Sequence, residues 1–401
     1  MTLIVVAIRI TAPSDLATGD QPYQVNYILD IAHNGNWIVQ HLRNGTPASK
    51  PPLYNWLAAP LIAITGTPHD FLLKLPSLVA GLLLLFLTWR ITRRLASERA
   101  AVIAALLLVT TTMYVKLVYF ARTDMLLAMF IALQIDAALR ERPLTYSSAA
   151  ALAMLTKGPI GILLPLLALS GWWVWRGEFR ERWRTMRVAI GLPLSMIPFA
   201  CWFGAAVYVE GRALWDQLVY AETLDRFSAA SSKAKEHRHL LYYIPHFLVR
   251  FAPASLFATV ALFRVEWRKR EEPVLLAVFW VVVMLALFSI VPSKRADRLF
   301  PLLPGVCALA GWAIATPVRG TRAAMNIIAA LLLAAGAYAA SGAMAYGVVQ
   351  IAGALLVLIA TAMFVFRAAA LPLLIAALLV VNGTYQHQLS VPAVRMRLGV
   401  R

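Results

Sequence analysis

The sequence predicts a polytopic, all-α membrane protein, and three of its properties support this fold class. Of its 401 residues, 61% are apolar and only 14% are charged, and the mean hydropathy is +0.71; a soluble domain of this size carries more charge. Apolar stretches of about twenty residues recur along the chain, as transmembrane helices require. They are unbroken, whereas an outer-membrane barrel shows short segments of alternating polarity.

The first apolar stretch is shorter than the others. The opening ten residues, MTLIVVAIRI, fall short of the roughly twenty that a full span needs, and no small-residue cleavage site follows them. Either the first helix is incomplete in this chain, or it extends through Leu16 with Arg9 and Asp15 near its ends. We expect an incomplete first helix.

Basic residues fix the predicted topology. The net charge is +18, but most Arg and Lys side chains lie in short loops between apolar stretches, which indicates cytoplasmic loops and membrane lipid rather than nucleic acid as the partner. The clusters are Arg90, Arg93, Arg94 and Arg99; Arg140 and Arg142; Arg176, Arg180, Arg182, Arg184 and Arg187; Arg264, Arg268, Lys269 and Arg270; Arg319 and Arg322; and Arg367 alone.

About thirteen spans satisfy this topology, which places the N terminus in the cytoplasm and the C terminus outside. They are predicted at residues 3–16, 72–90, 99–118, 123–139, 144–157, 159–175, 188–207, 242–263, 273–291, 297–316, 323–341, 347–366 and 369–385. We interpret residues 1–401 as one transmembrane domain that ends in the helices of residues 323–401, with no soluble C-terminal domain.

One apolar stretch, residues 52–64, is left out of the count. It is short for a span, and counting it would turn every later basic loop outward. An interfacial helix on the outer surface is the better interpretation.

The polar segments then fall on one side of the membrane, which we predict to be the periplasmic side. They are a first loop at residues 17–71, a second loop at 208–241, and short corners at 119–124, at Lys157 and at 289–298. This arrangement is typical of an active site at the outer interface.

Two carboxylates are the candidate catalytic groups. Asp20 follows the first apolar stretch, where an acid alone is more often a helix cap or a solvated loop charge. Asp124 is a second outward-facing acid close to membrane depth, where an ionisable group is a functional candidate. Together the two acids favour a functional interpretation.

Cationic side chains recur in the same segments and predict a phosphate-binding wall. A single lysine at such a corner often only extends its side chain to the lipid headgroups. Several cations on rigid corners suit a phosphate better. The candidates are Lys50, Lys157, Lys294, Arg295 and Arg298.

The second loop ends in a mixed charge run, KAKEHRH, followed by two tyrosines. Such a run is usually a solvated surface, but the aromatic residues after it suit a polar head above an acyl chain. An H-x-H pair without a matching acid gives only a weak metal signal. The candidates here are Arg226, His237, Arg238, Tyr242 and Tyr243.

Several common motifs do not occur in the sequence. The sequence has no P-loop, dinucleotide-binding fingerprint, HExxH or G-x-S-x-G motif, which argues against hydrolysis of soluble nucleotides, dinucleotide redox chemistry and an esterase. Two acids beside a basic, aromatic-rimmed cavity suit group transfer from a lipid-linked phosphate.

An ordered set of short motifs resembles the GT-C fold of polyprenyl-phosphate-sugar transferases, which include the aminoarabinose transferases acting on lipid A and the protein O-mannosyltransferases. The resemblance covers roughly residues 15–310. The matching elements are Asp20-Gln21, Gly35-Asn36-Trp37, Lys50-Pro51-Pro52-Leu53, Thr123-Asp124, Thr156-Lys157-Gly158, Arg226-Phe227, His237-Arg238, Tyr242-Tyr243 and the stretch from Ser293 to Pro304. The family often has acids at the positions of Gln21 and Ser49, and a tryptophan at that of Ala254.

The resemblance implies an inverting glycosyltransferase of the bacterial inner membrane. It would move a sugar from an undecaprenyl-phosphate-type donor to a lipid, glycan or protein acceptor at the periplasmic face. In relatives that act on lipid A the acid at the position of Ser49 is linked to metal binding, so the need for a divalent cation stays open and no metal ligand is assigned.

Each candidate residue then receives a predicted role. Asp20 is the acceptor-side acid or base, and Asp124 is its partner or positions it. The donor phosphate is assigned to Lys50, Lys157, Arg226, Lys294, Arg295 and Arg298. The acceptor side of the pocket is assigned to Gln21, Tyr23, His237, Arg238, Tyr242 and Tyr243.

Two other classes of function stay open from the sequence. A lipid or anion transporter would show charges near mid-bilayer and matching broken helices in its two halves. A noncatalytic scaffold would be consistent with the missing acids at Gln21 and Ser49.

Overall fold

The chain folds almost entirely into helices. The structure, a computed structural model, describes residues 16, 19–216, 218, 240–269, 272–292, 294–316, 320–340, 347–365 and 370–397. In these residues the only β-type pairing is an isolated bridge between His41 and Pro47. The all-α fold class is therefore confirmed.

In its described residues, the first part of the chain, up to Arg176, forms eight helices. Polar residues 35–52 separate the first two helices. The eight helices are α1 (Gln21–Asn34), α2 (Leu53–Thr65), α3 (Asp70–Leu95), α4 (Glu98–Thr110), α5 (Thr112–Leu117), α6 (Thr123–Leu139), α7 (Pro143–Lys157) and α8 (Ile160–Arg176).

The second part continues the bundle and ends in three helices that pack on each other in order. Two 3₁₀ segments, Leu240–Tyr242 and Ala296–Leu302, precede helices of this part. The helices are α9 (Phe179–Thr185), α10 (Val188–Glu210), α11 (Arg212–Trp215), α12 (Tyr243–Arg250), α13 (Ala254–Arg264), α14 (Leu275–Ile290), α15 (Leu303–Ala315), α16 (Thr321–Ala340), α17 (Gly347–Val365) and α18 (Ala370–Arg397).

Helix α6 is the centre of the bundle. Nearly all of its side chains are buried, and it packs against α3, α7 and α8. At one end Asp136 receives a hydrogen bond of 2.8 Å from Nε of Arg90 on α3. Asp124 lies twelve residues away, about 18 Å along the helix axis. The ion pair with Arg90 therefore anchors the helix whose other end carries a candidate catalytic acid.

Among the described residues, four helical segments are long and apolar enough to cross a membrane: Asp70–Leu95, Val188–Glu210, Ala296–Ala315 and Thr321–Ala340. Other apolar helices in the described ranges are 10–17 residues long. The predicted count of thirteen spans is therefore not confirmed, and the predicted span at residues 3–16 lies almost wholly outside the described residues.

Two predicted spans are broken. The span predicted at 242–263 consists of α12 and α13, which meet at an angle of 117°. Pro253 stands between them and has no N–H to continue the helical hydrogen bonds, so the helix ends before it. The span predicted at 99–118 is divided by Thr111, which has extended backbone angles between α4 and α5.

Helix α2 coincides with the apolar stretch that was left out of the predicted spans. It packs against α1 and α3. The hydroxyl of Tyr54 donates to the carbonyl of Leu73 over 3.1 Å. Its placement on the outer membrane surface stays a prediction.

Candidate active site

Six of the fourteen predicted site residues line a single cavity of about 130 Å³. They come from distant parts of the chain: the residue before α1, the loop before α2, both ends of the α6–α7 pair and the 3₁₀ segment Ala296–Leu302. In the part of the chain that the structure describes, five cationic and three anionic side chains line the cavity, for a net charge of +2. They are Lys50, Arg122, Lys157, Arg295 and Arg298, with Asp20, Asp124 and Asp297.

Asp20 stands immediately before α1 and is the more accessible of the two predicted acids. Its side chain is 30% exposed, against 6% for Asp124. Oδ2 of Asp20 lies 2.9 Å from Arg295 and 3.4 Å from Arg122. Oδ1 accepts no hydrogen bond from any residue that the structure describes, so it is available to a substrate group.

The charges around Asp20 keep it ionised. Burial opposes ionisation, but the cations of Arg122, Arg295 and Lys50 outweigh that effect and hold the pKa of the Asp20 carboxyl below its usual value. Asp20 is therefore an anion at neutral pH.

Hydrogen bonds between amide side chains hold the loop that carries Lys50. Gln24 of α1 donates to Asn55 of α2, and Asn55 donates to Gln40 over 3.0 Å. Gln40 in turn donates to the backbone carbonyls of Asn36 and Trp37. Because these groups are buried or partly buried, breaking the chain of bonds would leave them unpaired at a cost of about 1–3 kcal/mol each.

Lys50 is the cation in the cavity that is best placed to receive a ligand. Pro51 and Pro52 restrict the backbone after it and lead into α2. Lys50 forms no hydrogen bond or ion pair with another residue in the described ranges. Burial and the nearby charge of Lys157 lower the pKa of Lys50 to about 8, despite the opposing effect of Asp124 and Asp20. Its ammonium group is therefore free to pair with an incoming anion.

Arg122 is the centre of the ionic network, and the sequence analysis did not single it out. Its guanidinium lies 2.9 Å from Asp124, 3.1 Å from Asp297 and 3.4 Å from Asp20, and its side chain is only 10% exposed. An arginine in a corner predicted to face outward, next to Thr123-Asp124, was the signal that could have identified it.

The backbone on both sides of Arg122 is held by neighbouring helices. Gln21 accepts a hydrogen bond of 3.0 Å from the backbone N–H of Ala121. Ser77 of α3 donates to the carbonyl of Phe120 over 2.5 Å. These contacts connect the Asp20 segment to the corner before α6 and so fix Arg122 beside Asp20.

Asp124 and Lys157 form a close ion pair between α6 and α7. Nζ of Lys157 lies 2.5 Å from Oδ1 of Asp124, while Oδ2 of the same carboxylate contacts Arg122. Gly158 after Lys157 has φ of 76° and ψ of −158°, a conformation that L side chains rarely adopt. It allows the chain to reverse into α8 and leaves Lys157 at the cavity. Both oxygens of Asp124 are thus engaged by cations.

Asp297 is a third acid of the cavity that the prediction missed. It lies in the 3₁₀ segment Ala296–Leu302 and contacts both Arg122 and Arg250, at 3.1 and 3.0 Å. Arg295 and Arg298 flank it and line the cavity as predicted. Asp297 therefore connects the bent α12–α13 pair to the ionic network around Arg122.

One wall of the cavity is apolar. Phe199 and Trp202 of α10, with Leu218, face the charged residues. The indole N–H of Trp202 donates to the carbonyl of Ile38 over 2.9 Å. This bond holds α10 against the loop that carries Lys50 and gives the cavity a polar side and an apolar side.

Some predicted residues lie elsewhere. Lys294 does not line the cavity: its ammonium group donates to the carbonyls of Ser289 and Val291. Gln21 is fully buried behind the cavity, and Tyr23 is 56% exposed on α1 without lining it. The structure therefore does not bring these three into the cavity.

The two predicted tyrosines lie near the cavity rather than in its lining. Tyr243 accepts a hydrogen bond of 3.1 Å from the backbone N–H of Arg295 and so supports the segment that carries it. Tyr242 packs against Tyr243 and His246. Arg226, His237 and Arg238 lie outside the described residues.

The described lining does not fit a divalent cation. All three carboxylates are already paired with Arg or Lys, and the net charge is positive. Ser49, beside Lys50, adds only a hydroxyl, which is a poor ligand compared with a carboxylate. Across the described ranges no three His, Cys, Asp or Glu side chains gather in a way that could hold a metal.

Sequence comparison finds one matching family model and a group of similar proteins. Residues 49–203 match the sequence model of the dolichyl-phosphate-mannose-protein mannosyltransferase family; this range contains Lys50, Arg122, Asp124 and Lys157. An undecaprenyl phosphate-alpha-4-amino-4-deoxy-L-arabinose arabinosyl transferase of Pseudomonas aeruginosa is 26% identical over 300 residues, covering 71% of this chain and 53% of the relative. A relative of the same name, numbered 2, from Pseudomonas fluorescens is 26% identical over 317 residues, covering 75% and 56%. The chain spans about half the length of the curated relatives it matches.

Comparison with solved structures identifies the fold. ArnT from Cupriavidus metallidurans, bound to undecaprenyl phosphate, superposes with a TM-score of 0.77 at 21% identity, over 97% of this chain and 75% of ArnT. The archaeal oligosaccharyltransferase AglB from Archaeoglobus fulgidus superposes with a TM-score of 0.55 at 14% identity, over 97% and 55%. The chain therefore has the GT-C fold of these membrane glycosyltransferases, and its sequence resembles both the aminoarabinose transferases and the protein mannosyltransferases.

Proposed function

We propose that this chain is a multi-pass inner-membrane glycosyltransferase that transfers a sugar from a polyprenyl-phosphate donor to a lipid, glycan or protein acceptor at the periplasmic face. The observation that carries the proposal is the pairing, in one cavity, of an accessible carboxylate, Asp20, with a lysine free of partners in the described ranges, Lys50. The fold and the names of the relatives support the same class of donor.

The cavity has the two parts that such a transfer needs. The acceptor hydroxyl attacks the anomeric carbon, and the bond between that carbon and the phosphate oxygen breaks with its electron pair. The donor leaves as polyprenyl phosphate, which gains a second negative charge. Lys50, Lys157, Arg295 and Arg298 surround the space in which that charge develops.

Asp20 serves the acceptor side of the reaction. Its free Oδ1 accepts the hydrogen bond of the attacking hydroxyl, takes the proton as the new glycosidic bond forms and releases it to water. Asp124 is enclosed by Arg122 and Lys157, so it positions these cations and does not contact the acceptor. The proposed roles of the two acids thus follow from their different exposure.

The bent helix pair α12–α13 is relevant to the alternative function, a lipid or anion transporter. A transporter built from inverted repeats has broken helices at corresponding positions in its two halves. In the described part of the chain, α12 with α13 is the one helix pair that is both apolar enough to span and sharply bent. The break at Thr111 between α4 and α5 does not meet both conditions. The structure thus gives the transporter no specific support.

The proposed activity can be tested with the purified full chain in lipid nanodiscs. We expect it to release undecaprenyl phosphate from a labelled undecaprenyl-phosphate sugar when an extract of envelope lipids and glycans is supplied. Mass spectrometry of the extract would identify the glycosylated product. Failure to consume any donor from a panel of sugars, under conditions in which the chain remains folded, would contradict the proposed function.

The pKa of Lys50 predicts an alkaline limit to activity. Below pH 8 the side chain is a cation that binds the donor phosphate, and above pH 8 it loses its proton, so kcat/KM for the donor should fall as pH rises past about 8. The bound phosphate favours the charged lysine, so the corresponding fall in kcat should lie at higher pH.

The matched variant is Lys50→Arg, which stays charged throughout this range. We expect its kcat/KM to lack the fall above pH 8, even if its overall value is lower. Initial rates from pH 6 to 10 would measure both profiles. An unchanged alkaline limb in Lys50→Arg would show that another group controls it.

A further inference from the structure

We infer that the sugar transferred by this chain carries no positive charge, so that its donors are neutral or acidic polyprenyl-phosphate sugars rather than amino sugars. The inference rests on the proposed function and adds to it the charge class of the substrate. It differs from what the names of the sequence relatives would suggest, since those proteins are named for a 4-amino-4-deoxy sugar.

The first step concerns the carboxylates, because a carboxylate is the strongest partner that the cavity could offer to an ammonium group on a sugar. Asp124 lies between Lys157 and Arg122, at 2.5 and 2.9 Å. Asp297 lies between Arg122 and Arg250, at 3.1 and 3.0 Å. Each of these two acids is thus already shared by two cations and has little negative potential left for a third.

Asp20 is the remaining acid, and it too is unsuited to an ammonium group. Oδ2 is held by Arg295 and Arg122. A cation at Oδ1 would therefore lie next to two guanidinium groups, and it would also occupy the atom assigned to the acceptor hydroxyl. An amino sugar bound there would block the reaction.

The second step concerns the total charge. Among the described residues, five cations and three acids line the cavity, and one negative charge from the donor phosphodiester does not reverse their balance of +2. A cationic sugar would thus enter a site of its own sign.

The third step identifies Ser49 as the residue that sets this preference. It lines the cavity directly before Lys50 and is neutral. A carboxylate here would face the donor site and would lower the net charge by one. Ser49 is therefore a specificity-determining residue for the charge of the sugar.

The experiment compares donors that differ only in one amino group. The first pair is undecaprenyl-phosphate L-arabinose and its 4-amino-4-deoxy analogue; the second is undecaprenyl-phosphate glucose and its 2-amino-2-deoxy analogue. With the full chain at pH 7, we expect kcat/KM for the neutral member of a pair to exceed that for the amino member by about tenfold or more, from like-charge repulsion at close range. Equal turnover, or a preference for the amino donor, would overturn this inference but would leave the proposed function standing.

Turnover of no donor would instead overturn the proposed function and, with it, the inference. The variant Ser49→Glu should shift the neutral-to-amino ratio toward the amino donor by about tenfold, while the matched Ser49→Gln, of the same size without the charge, should leave the ratio as in the natural chain. A ratio measured on one preparation is independent of how much of that preparation is folded. No shift in Ser49→Glu would contradict the role of Ser49.

Discussion

Replacing Asp20 with asparagine is expected to reduce kcat/KM for sugar transfer by about 10²–10⁴-fold, the usual contribution of a positioned general base. Asparagine has nearly the same shape, so the segment before α1 should keep its place beside Arg295. The amide cannot take the proton of the acceptor hydroxyl, whereas the binding of the donor phosphate does not need this group. The loss should therefore appear in kcat, with little change in the KM for the donor. Initial rates over a range of donor concentrations would separate the two parameters.

The matched control is Asp297→Asn. Asp297 also contacts Arg122 and also lines the cavity, so its substitution removes one negative charge from the same network. It has no predicted part in proton transfer, and we expect its effect on kcat to be at least tenfold smaller than that of Asp20→Asn. Comparable losses in the two variants would show that Asp20 acts through the network charge. Full activity of Asp20→Asn would remove Asp20 from the mechanism.

Most of the helical fold could be predicted from the sequence, because long apolar stretches have few alternatives in a membrane. Hydropathy averages over a window, however, and does not register a local break. It therefore predicted one span over residues 242–263, where Pro253 ends one helix and the next starts at 117° to it. The same limitation applies at residues 99–118, where Thr111 interrupts the predicted span.

Several residues of the candidate site could be selected from the sequence, but the contacts between them could not. Asp20, Lys50, Asp124 and Lys157 were each selected from segments far apart in sequence, and the structure places all four around one cavity. What the sequence could not show was which groups pair. Lys294 and Arg295 are adjacent, yet backbone carbonyls bind the first while the second contacts Asp20.

The sequence analysis missed Arg122 because its ionic partners lie far away in the sequence. Basic residues in a membrane protein were interpreted as markers of cytoplasmic loops, and a single arginine on the opposite side did not alter the topology. Its importance depends on three acids that lie at positions 20, 124 and 297, and only the folded chain brings them together.

Arg122→Ala is the second substitution for which we expect a large effect. Without the guanidinium, Asp124 loses one of its two cations while it remains buried, a change that typically costs about 3–5 kcal/mol. Asp297 and Asp20 lose a partner as well, although Arg250 and Arg295 still pair with them. A lower apparent unfolding temperature and a loss of transfer are the expected results, measured by thermal unfolding in detergent and by the donor assay.

A pH profile separates the electrostatic role of Arg122 from a merely structural one. Arg122 is the leading cation among those that hold the pKa of Asp20 below its usual value. Its removal should raise that pKa, and because Asp20 must be ionised to accept a proton, the acid-side fall of kcat/KM should move to higher pH. Arg122→Lys keeps the charge and should restore the acid limb, even though a single ammonium group cannot contact three carboxylates as the guanidinium does. An acid limb in the residual activity of Arg122→Ala identical to that of the natural chain would mean that Arg122 only supports the fold.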